Sequence, residues 1–360
     1  MFFLLISYNN YWNMEIEFLS DANRQEWDDF AANSSSAWFR HTTAWQKYSS
    51  CCRFDSNTRN LSFMVKQSNR IQAIVPLLAE YSYPEMDFDC FAMYGDYTPL
   101  PAYSDDETVS RTLVTEAMVK TLDELAARYG IRYGKFVIDP LISYPYFTDF
   151  APYNLLTAKA ALHFTTTNIV DLRYDLDVVL RRMRKGHKAA VKQVLNEKGC
   201  RVDVFDSNNV TKEHLLRFKY IHRQDAGRQT RTDASWDCMY EWIRDGNACL
   251  AMLWLDSIQD YGAAALVMMY KKSAYYASYG TLDSTYLNGH CGHIIQWSII
   301  SYLKSAGIEK YEMGENYFDL PDTEAGHKLN EIAKYKRGFR SVEIPKITYR
   351  TEYSLSSHAG

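Results

Sequence analysis

The sequence lacks the spaced cysteine and histidine pairs that bind structural zinc. Its seven cysteines are odd in number and scattered along the chain, and Cys51 and Cys52 are adjacent. Zinc sites and disulfide frameworks both need cysteines at recurring short spacings. The pattern therefore predicts reduced thiols, no bound metal and a cytoplasmic location.

Long hydrophobic runs are also missing. The first residues, MFFLLISYNNYW, contain an apolar run of about five residues with no basic segment before it, and ~18 are needed to span a bilayer. Met14 is a candidate start, because the strand-like segment EIEFLS follows it. We expect no transmembrane segment, and peripheral membrane contact stays open.

No sign of charge dominates the chain. The net charge of −4 at pH 7 gives no global attraction to nucleic acid or to an anionic membrane, so any site for a polyanion must be local. The 28 tyrosines and 8 tryptophans suit pockets that need large, partly polar contact surfaces. A length of 360 residues allows roughly two domains.

Two stretches, 61–138 and 249–315, share one order of elements. Each reads as a hairpin, a strand ending in Tyr-Gly, a loop, a helix and a strand beginning Gly-Ile. Gly130 and Gly307 fit the left-handed position that ends a helix. An accidental match of common elements stays open. If the repeat is real, the chain is an α+β protein built from a tandem pair of one unit.

A basic segment lies between these stretches. The apolar spacing predicts one helix from about Leu176 to Glu197. Like charges at neighbouring positions of a helix repel unless an anion relieves them, so a phosphate-bearing ligand or an RNA backbone competes with a plain solvated face as the explanation. The cations of this segment are Arg181, Arg182, Arg184, Lys185, Lys188 and Lys192.

A glycine-rich turn, Gly289-x-x-Gly292, follows the strand-like segment of the second stretch and enters a helix at His293. Backbone N–H groups at a helix N-terminus favour anions such as a pyrophosphate. A tight turn without a ligand is the alternative. Cys291 is a weak candidate for a nucleophile, because His290 and His293 are too near in sequence to face it from the same helix side.

Carboxylates follow the last strand of the second stretch. Glu312, Glu315, Asp319 and Asp322 lie where a strand opens into a loop, and one of them could accept a proton from an attacking amine. A solvated acidic loop is the alternative. The segment AKYKRGF, 333–339, then closes the unit; alone it reads as a basic tail.

In this order, several segments resemble the FemAB-like branch of the GNAT superfamily. They are AIVPLLAEY with MYGDYTPL, LRRMRKGHKAAVKQ, AGRQTRTDASW, AYYASYGTLD, HIIQWSIISYLKSAGIEKYEMGE and LNEIAKYKRGF. The resemblance implies two tandem GNAT-like domains, 14–165 and 166–350, with mixed, mainly antiparallel sheets flanked by helices and packed into one body. It also implies transfer of acyl or aminoacyl groups to amines.

The resemblance and the motifs described above together predict roles for particular residues. Catalysis falls to Lys336, which meets a phosphate or the developing charge, and to Glu315 or Asp319 as the proton acceptor. Arg340 and Ser341 follow Phe339 where the family has a glycine-like turn, which puts the close approach of that turn to a ligand in question. The substrate-binding residues are Arg184, Lys185, Thr230, Arg231, Tyr279 and Tyr335, and the cofactor-binding ones are Gly289, Gly292 and His293.

The resemblance leaves three functions open. The first is an N-acyltransferase that uses acyl-coenzyme A and acylates a small-molecule, lipid-linked or nucleotide-linked amine, such as an amino sugar of a cell-envelope or polysaccharide precursor. The second is an aminoacyl-tRNA-dependent peptidyltransferase. Members of that kind often carry a long helical arm, which this sequence lacks, so acyl-coenzyme A is favoured. The third is a non-catalytic binding module.

Overall fold

The computed structural model describes residues 14–54, 56–82, 90–94, 96–106, 108, 110–142, 160–316 and 322–353. The chain divides into two compact units, one formed by residues up to Phe164 together with those from Ile347 onward, and the other by Thr165–Lys346. Helices and largely antiparallel sheets make up both units, which confirms the predicted α+β class. Among the described residues no helix is both long and apolar enough to cross a membrane. The domain bounds 14–165 and 166–350 stay a prediction.

The elements in chain order are as follows. The strands are β1 Met14–Phe18, β2 Ser56–Asn60, β3 Phe63–Gln67, β4 Arg70–Val75, β5 Leu78–Ser82, β6 Cys90–Phe91, β7 Thr98–Pro99, β8 Ala102–Tyr103, β9 Tyr133–Val137, β10 Ala160–Asp171, β11 Cys200–Phe205, β12 Ala248–Leu255, β13 Asp260–Tyr270, β14 Ser273–Thr281, β15 Lys310–Asn316 and β16 Val342–Glu352. The helices are α1 Arg24–Asn33, α2 Thr43–Cys51, α3 Arg111–Tyr129, α4 Leu176–Arg182, α5 Lys185–Leu195, α6 Lys212–Ala226, α7 Asp233–Arg244, α8 Cys291–Ser305 and α9 Glu324–Arg337.

The first unit holds two sheets. One has the order β1-β3-β4-β8 and is antiparallel throughout, and the other has the order β16-β9-β6-β5-β2. Helix α3 buries Val114, Met118 and Leu122 in the same core as Phe63 and Val75, as expected for apolar residues four apart on one face. It ends at Gly130, whose φ of +69° is the left-handed cap that the sequence predicts.

The second unit is built on a sheet with the order β11-β12-β13-β14-β15-β10. Strand β12 is buried along almost its whole length. Its odd-numbered residues from Cys249 to Leu255 share a core with α5 and α8, and the alternation of side chains turns its other residues to the opposite face, which α7 contacts. Burial on both faces explains why β12 and β13 read as continuous apolar runs.

Two parallel strands of this sheet separate. The pairing between β14 and β15 covers only Ser273–Tyr275 and Lys310–Glu312, after which each strand continues without the other. A bulge interrupts each strand. The bulge of β14 lies opposite Leu266 and Val267 of β13, and the bulge of β15 lies opposite Asn168 and Ile169 of β10. We call the space between the two diverging edges the strand gap.

The first unit differs at the corresponding place. There β9 pairs in parallel with β6 and, further along, with β7, so that its residues Phe136 and Val137 still have strand partners. The described residues of the first unit therefore show no comparable gap beside β9.

The prediction of one helix over the basic segment is wrong. The segment forms two helices, α4 and α5, separated by Met183 and Arg184 in extended conformation. Extended backbone here lets Met183 enter the core, where it is 3% exposed, and lets the Arg184 N–H donate to the carbonyl of Gly338 at 2.8 Å. Tertiary contacts thus override the helical periodicity.

Candidate functional site

Tyrosine side chains collect beside the strand gap. Tyr276 and Tyr279 are three residues apart on β14, and because the bulge between them adds one residue, both pack against the core that holds Tyr311. The Tyr311 hydroxyl donates to Oε1 of Gln296 at 2.7 Å. Burial raises the pKa of Tyr276 and Tyr311 well above the ordinary value, so these phenols are uncharged at neutral pH.

Lys336 lies against the bulge of β15. A Cβ atom on Gly314 would stand 2.7 Å from its Nζ, so the absence of a side chain at Gly314 makes room for the ammonium group. Gly314 has a φ of +98°, which glycine adopts readily. Burial lowers the pKa of Lys336, the charges of Glu312 and Glu315 raise it, and Lys346 lowers it further. The result is a half-buried cation with two carboxylates near it.

A buried polar network supports this part of β15. Thr167 donates from Oγ1 to Oε1 of Glu312 at 2.7 Å, and Asn168 donates from Nδ2 to the Gly314 carbonyl at 3.1 Å and to Oδ1 of Asn316 at 2.8 Å. Thr167, Asn168, Glu312 and Asn316 are each no more than 1% exposed. Our sequence reasoning missed Thr167 and Asn168, although the polar run TTTN within an otherwise strand-like segment was a signal.

Of the two predicted proton acceptors, one is described. Glu315 forms an ion pair with Lys346, and its side chain is 26% exposed. Asp319 lies outside the described residues. The assignment of either carboxylate as the proton acceptor therefore stays a prediction.

The glycine-rich turn precedes α8. Leu287, Asn288 and Gly289 have φ values of 52°, 54° and 80°, and the helix begins at Cys291, two residues earlier than predicted. A Cβ atom on Gly292 would stand 2.8 Å from the Tyr335 hydroxyl. Gly292 thus makes room for a tyrosine of the protein itself, and its cofactor-binding role stays a prediction.

The side chain of His293 points into the protein. Its ring centre is 4.6 Å from that of His187 and 5.1 Å from that of Tyr335. Burial, and then the nearby His187, His290 and Arg184, lower the pKa of His293 to about 4. The imidazole is uncharged at neutral pH, so it offers no positive charge to a pyrophosphate.

Cys291 is not set up as a nucleophile. Its Sγ donates to the carbonyl of Tyr286 at 3.2 Å, and burial raises the pKa of its thiol to about 12. A thiolate is the reactive form of cysteine, so this thiol is in its inert form at neutral pH.

The basic segment contacts the end of α9 through His187. His187 makes a hydrogen bond through Nε2 to the carbonyl of Tyr335 at 2.8 Å, and its ring lies directly on Gly338. Arg184 and Lys185 are exposed beside it. The two segments that the resemblance joined, RRMRKGHKAA and AKYKRGF, are therefore in contact through a histidine that our sequence reasoning did not single out.

A second, separate feature is a basic pocket between α6 and α7 with a volume of about 150 Å³. Thr230 lines it, and its buried Oγ1 has no hydrogen-bond partner among the described residues. Arg231 lies behind the pocket, with Nη2 3.5 Å from Nε2 of His222 and its guanidinium 5.1 Å from the Trp236 ring. The lining residues are Lys219, His222, Arg223, Arg228, Gln229, Thr230, Asp233 and Trp236.

The pocket carries net positive charge. Three cations line it against the single carboxylate of Asp233, which pairs with Lys219 at 2.7 Å. Burial and the Arg231 charge lower the pKa of His222 to about 4, so His222 is a neutral wall at pH 7. Arg223 and Arg228 remain to face a compact anion such as a phosphate or carboxylate.

No protein-family model and no curated protein matches this chain. Solved structures do match in fold. The crystal structure of FemX has a TM-score of 0.65 at 14% identity, over 93% of this chain and 96% of FemX. L-PGS from Bacillus licheniformis has a TM-score of 0.56 at 13% identity, over 95% of this chain and 94% of that one. A tandem GNAT protein from the clavulanic acid biosynthesis pathway has a TM-score of 0.52 at 12% identity, over 96% and 100%.

These likenesses extend over nearly the whole chain on both sides. The chain therefore has a FemAB-like fold made of tandem GNAT-type units, and the expectation drawn from the resemblance is confirmed at the level of the fold.

Proposed function

We propose that this protein is an N-acyltransferase. It moves an acyl or aminoacyl group from an activated carrier, with acyl-coenzyme A favoured, to an amine on a cell-envelope or polysaccharide precursor such as an amino sugar. The observation that carries the proposal is the half-buried Lys336 ammonium, held against the bulge of β15 at the place where the parallel strands separate. The fold shared with a tandem GNAT protein supports it. We place the activity in the cytoplasm, because the cysteine pattern indicates reduced thiols.

The strand gap is the proposed donor site. Past Tyr275 and Glu312 the facing edges of β14 and β15 do not pair with each other, which leaves main-chain groups along both edges for another partner. An extended carrier with amide groups can bind such an edge by main-chain hydrogen bonds, as added strands do. The phenols of Tyr276 and Tyr279 supply apolar surface beside it.

The chemistry proposed for this site is direct transfer within a ternary complex. The neutral amine of the acceptor attacks the carbonyl carbon of the thioester or ester, and the electron pair of the C=O bond moves to oxygen. Lys336 and nearby backbone N–H groups stabilise the oxyanion, for which one placed donor contributes about 3 kcal/mol. The oxyanion then collapses and the C–S or C–O bond breaks. A carboxylate takes the amine proton directly or through water, a role for which the sequence predicts Glu315 or Asp319.

The basic pocket is the proposed site for the acidic part of the acceptor. Thr230 offers an unpaired hydroxyl, and Arg223 and Arg228 offer bidentate donors that match a phosphate or carboxylate. A nucleotide-linked or lipid-linked amino sugar has both the phosphate and the amine that this arrangement needs.

Replacement of Lys336 tests the proposal. Coenzyme A release from acetyl-coenzyme A is measured with a panel of amines that each carry a phosphate or carboxylate group, namely glucosamine 6-phosphate, ethanolamine phosphate and lysine. We expect Lys336→Met to lower kcat by about 10²- to 10³-fold, because the oxyanion loses its charged donor. Lys334→Met is the matched control, since Lys334 is exposed two residues away and pairs with Glu331 at 2.6 Å.

Two results would count against the proposal. Equal turnover by Lys336→Met and wild type would remove Lys336 from the chemistry. No turnover by the wild type, with acetyl-coenzyme A or with charged tRNA as donor, would favour a non-catalytic binding module.

An aminoacyl-tRNA-dependent peptidyltransferase is the second candidate. The exposed cations of α4 and α5, including Arg181, Lys185 and Lys192, favour it because they form a surface for a nucleic acid backbone. This candidate predicts binding of charged tRNA that weakens steeply with salt. Glutamine substitution of all three residues would flatten that salt dependence.

A further inference from the structure

The sheet-facing stripe of α6 ends in a carboxylate. Leu215, Phe218, Ile221 and His222 are buried, with the spacing of three and four residues that one helix face requires, and Asp225 is the next position on that face. The helix lies directly on β14, since a Cβ atom on Gly280 would stand 2.9 Å from Cα of His222. Asp225, about one turn further along, therefore faces the end of β14 that borders the strand gap.

Groups from both parts of the proposed site, the strand gap and the basic pocket, lie in the surroundings of Asp225. The main chain at Thr281 is close enough to influence its carboxylate, and the nearby titratable side chains are the phenols of Tyr276 and Tyr279 and the ammonium of Lys328 on α9. The neighbouring stripe residue, His222, lines the basic pocket and is uncharged at neutral pH. Asp225 thus lies near the phenols of the strand gap and one helical turn beyond His222, which lines the pocket for an anion.

The electrostatics of this position suit a base. Burial raises the pKa of Asp225 above that of an ordinary aspartate, and the main chain at Thr281 and the Lys328 charge reduce the effect. The side chain is nevertheless open to solvent. It also stands in the last turn of α6, where the helix dipole opposes a negative charge. A carboxylate at this position adds little to the stability of the fold, and it binds a proton more strongly than an ordinary aspartate does.

Within the part of the chain that the structure describes, the other carboxylates near the gap are already engaged. Glu315 forms an ion pair with Lys346, and Glu312 accepts a hydrogen bond from Thr167. By contrast, Asp225 forms no ion pair with any lysine or arginine among the described residues.

We propose that Asp225 is the general base that accepts the proton of the acceptor amine. As the amine nitrogen forms its bond to the carbonyl carbon, one N–H proton passes to the Asp225 carboxylate. The C–S or C–O bond then breaks, the leaving sulfur or oxygen gains a proton, and Asp225 returns its proton to the leaving group or to water. This inference rests on the proposed N-acyltransferase function.

The test compares Asp225→Asn, Asp225→Glu and Glu315→Gln with wild type. The assay is coenzyme A release from acetyl-coenzyme A with the same panel of amines, and kcat is measured as a function of pH. Asp237→Asn is the matched control, because Asp237 is an exposed aspartate on the adjacent helix α7 and is outside the proposed site. Thermal unfolding midpoints are measured for every variant.

We expect Asp225→Asn to lower kcat by at least 100-fold and to remove the acidic limb of the pH profile, since a general base contributes about 10²- to 10⁴-fold. Its unfolding midpoint at pH 7 is expected to equal or exceed that of wild type, because a carboxylate with a raised pKa is destabilised by its surroundings. Asp225→Glu is expected to restore part of the rate, and Glu315→Gln to retain the acidic limb.

Failure of this inference and failure of the proposed function are distinguishable. If wild type turns over and Asp225→Asn loses less than tenfold in kcat, or if Glu315→Gln alone removes the acidic limb, the base is not Asp225 and the transferase function stands. A lower unfolding midpoint for Asp225→Asn would assign Asp225 a structural role and overturn the inference. No turnover by wild type overturns both proposals.

Discussion

At the residue scale, Lys336 and Gly314 depend on each other. The ammonium group occupies space that any side chain at Gly314 would fill, and the backbone there has a φ of +98°. The sequence predicts a ligand-facing lysine in AKYKRGF through the family resemblance. The sequence does not indicate that Gly314 lies opposite this lysine, because a contact between a helix and a bulged strand leaves no pattern in the local spacing of residues.

Replacement of this glycine is expected to be costly. Gly314→Ala would place a methyl group against Lys336 and force alanine into a left-handed conformation, so we expect a loss of about 1–2 kcal/mol in the free energy of unfolding together with reduced turnover. Urea unfolding measures the first effect. Gly186→Ala is the control, because no atom lies within 4 Å of a Cβ there and the change is expected to stabilise by about 0.4–1 kcal/mol. Equal stability of both variants would contradict this account.

Buried imidazoles make stability depend on pH. The pKa values of His293 and His222 fall from 6.5 to about 4 on folding, so between these values the unfolded chain binds more protons than the folded one. Stability is therefore full above pH 6.5 and falls as the pH drops towards 4, by at most about 1.4 kcal/mol per pH unit for each group.

Urea unfolding between pH 7 and pH 4 measures this slope. We expect His293→Gln to reduce it, and His327→Gln to leave it unchanged because His327 is exposed. A slope in His293→Gln equal to that of wild type would show that this imidazole does not contribute.

At the scale of elements, the contact between α5 and the end of α9 explains the basic segment. The break between α4 and α5 lets the Arg184 N–H donate to the Gly338 carbonyl, and His187, three residues later, makes a hydrogen bond to the Tyr335 carbonyl. The cations around it remain exposed. The buried His187 thus positions the end of α9, whichever ligand the exposed cations of the segment bind.

Removal of this histidine is expected to displace the end of α9. His187→Ala loses one hydrogen bond and leaves a cavity, so we expect about 2–3 kcal/mol less stability and a lower kcat through movement of Lys336. Lys188→Ala, the next residue and more exposed, is the control in the same urea and turnover measurements. An unchanged kcat in a folded His187→Ala variant would mean that Lys336 does not depend on this contact.

At the scale of the whole molecule, the two units carry related elements and differ in how their parallel strands pair. Strand β9 of the first unit keeps strand partners in β6 and β7, whereas β14 and β15 of the second unit separate. We therefore assign the donor to the second unit alone.

Hydrogen exchange tests this assignment. With acetyl-coenzyme A bound, we expect slower exchange in 276–281 of β14 and in 289–293 at the start of α8, because a bound ligand shields the backbone of these segments from solvent. Exchange in β6 and β9, which form the corresponding parallel pair of the first unit, is expected to stay the same. Protection of both units would contradict a single donor site.

The sequence by itself determined the α+β class, the repeated order of elements, the helix ends at Gly130 and Gly307 and, through the resemblance, the FemAB-like fold. These features depend on periodicity, on glycine conformation and on the order of segments along the chain, all of which are local. Only the tertiary structure decided the break at Met183 and Arg184, the contact of His293 with His187 and Tyr335, and the engagement of Glu315 with Lys346.

The packing of α6 on Gly280 of β14, from which we infer the position of Asp225, was likewise decided by tertiary structure. Each of these features depends on which strands separate and which helix covers them, and such contacts join residues far apart in the sequence. The chain order fixes which side chains are present, and the packing sets their charge state and the groups they face.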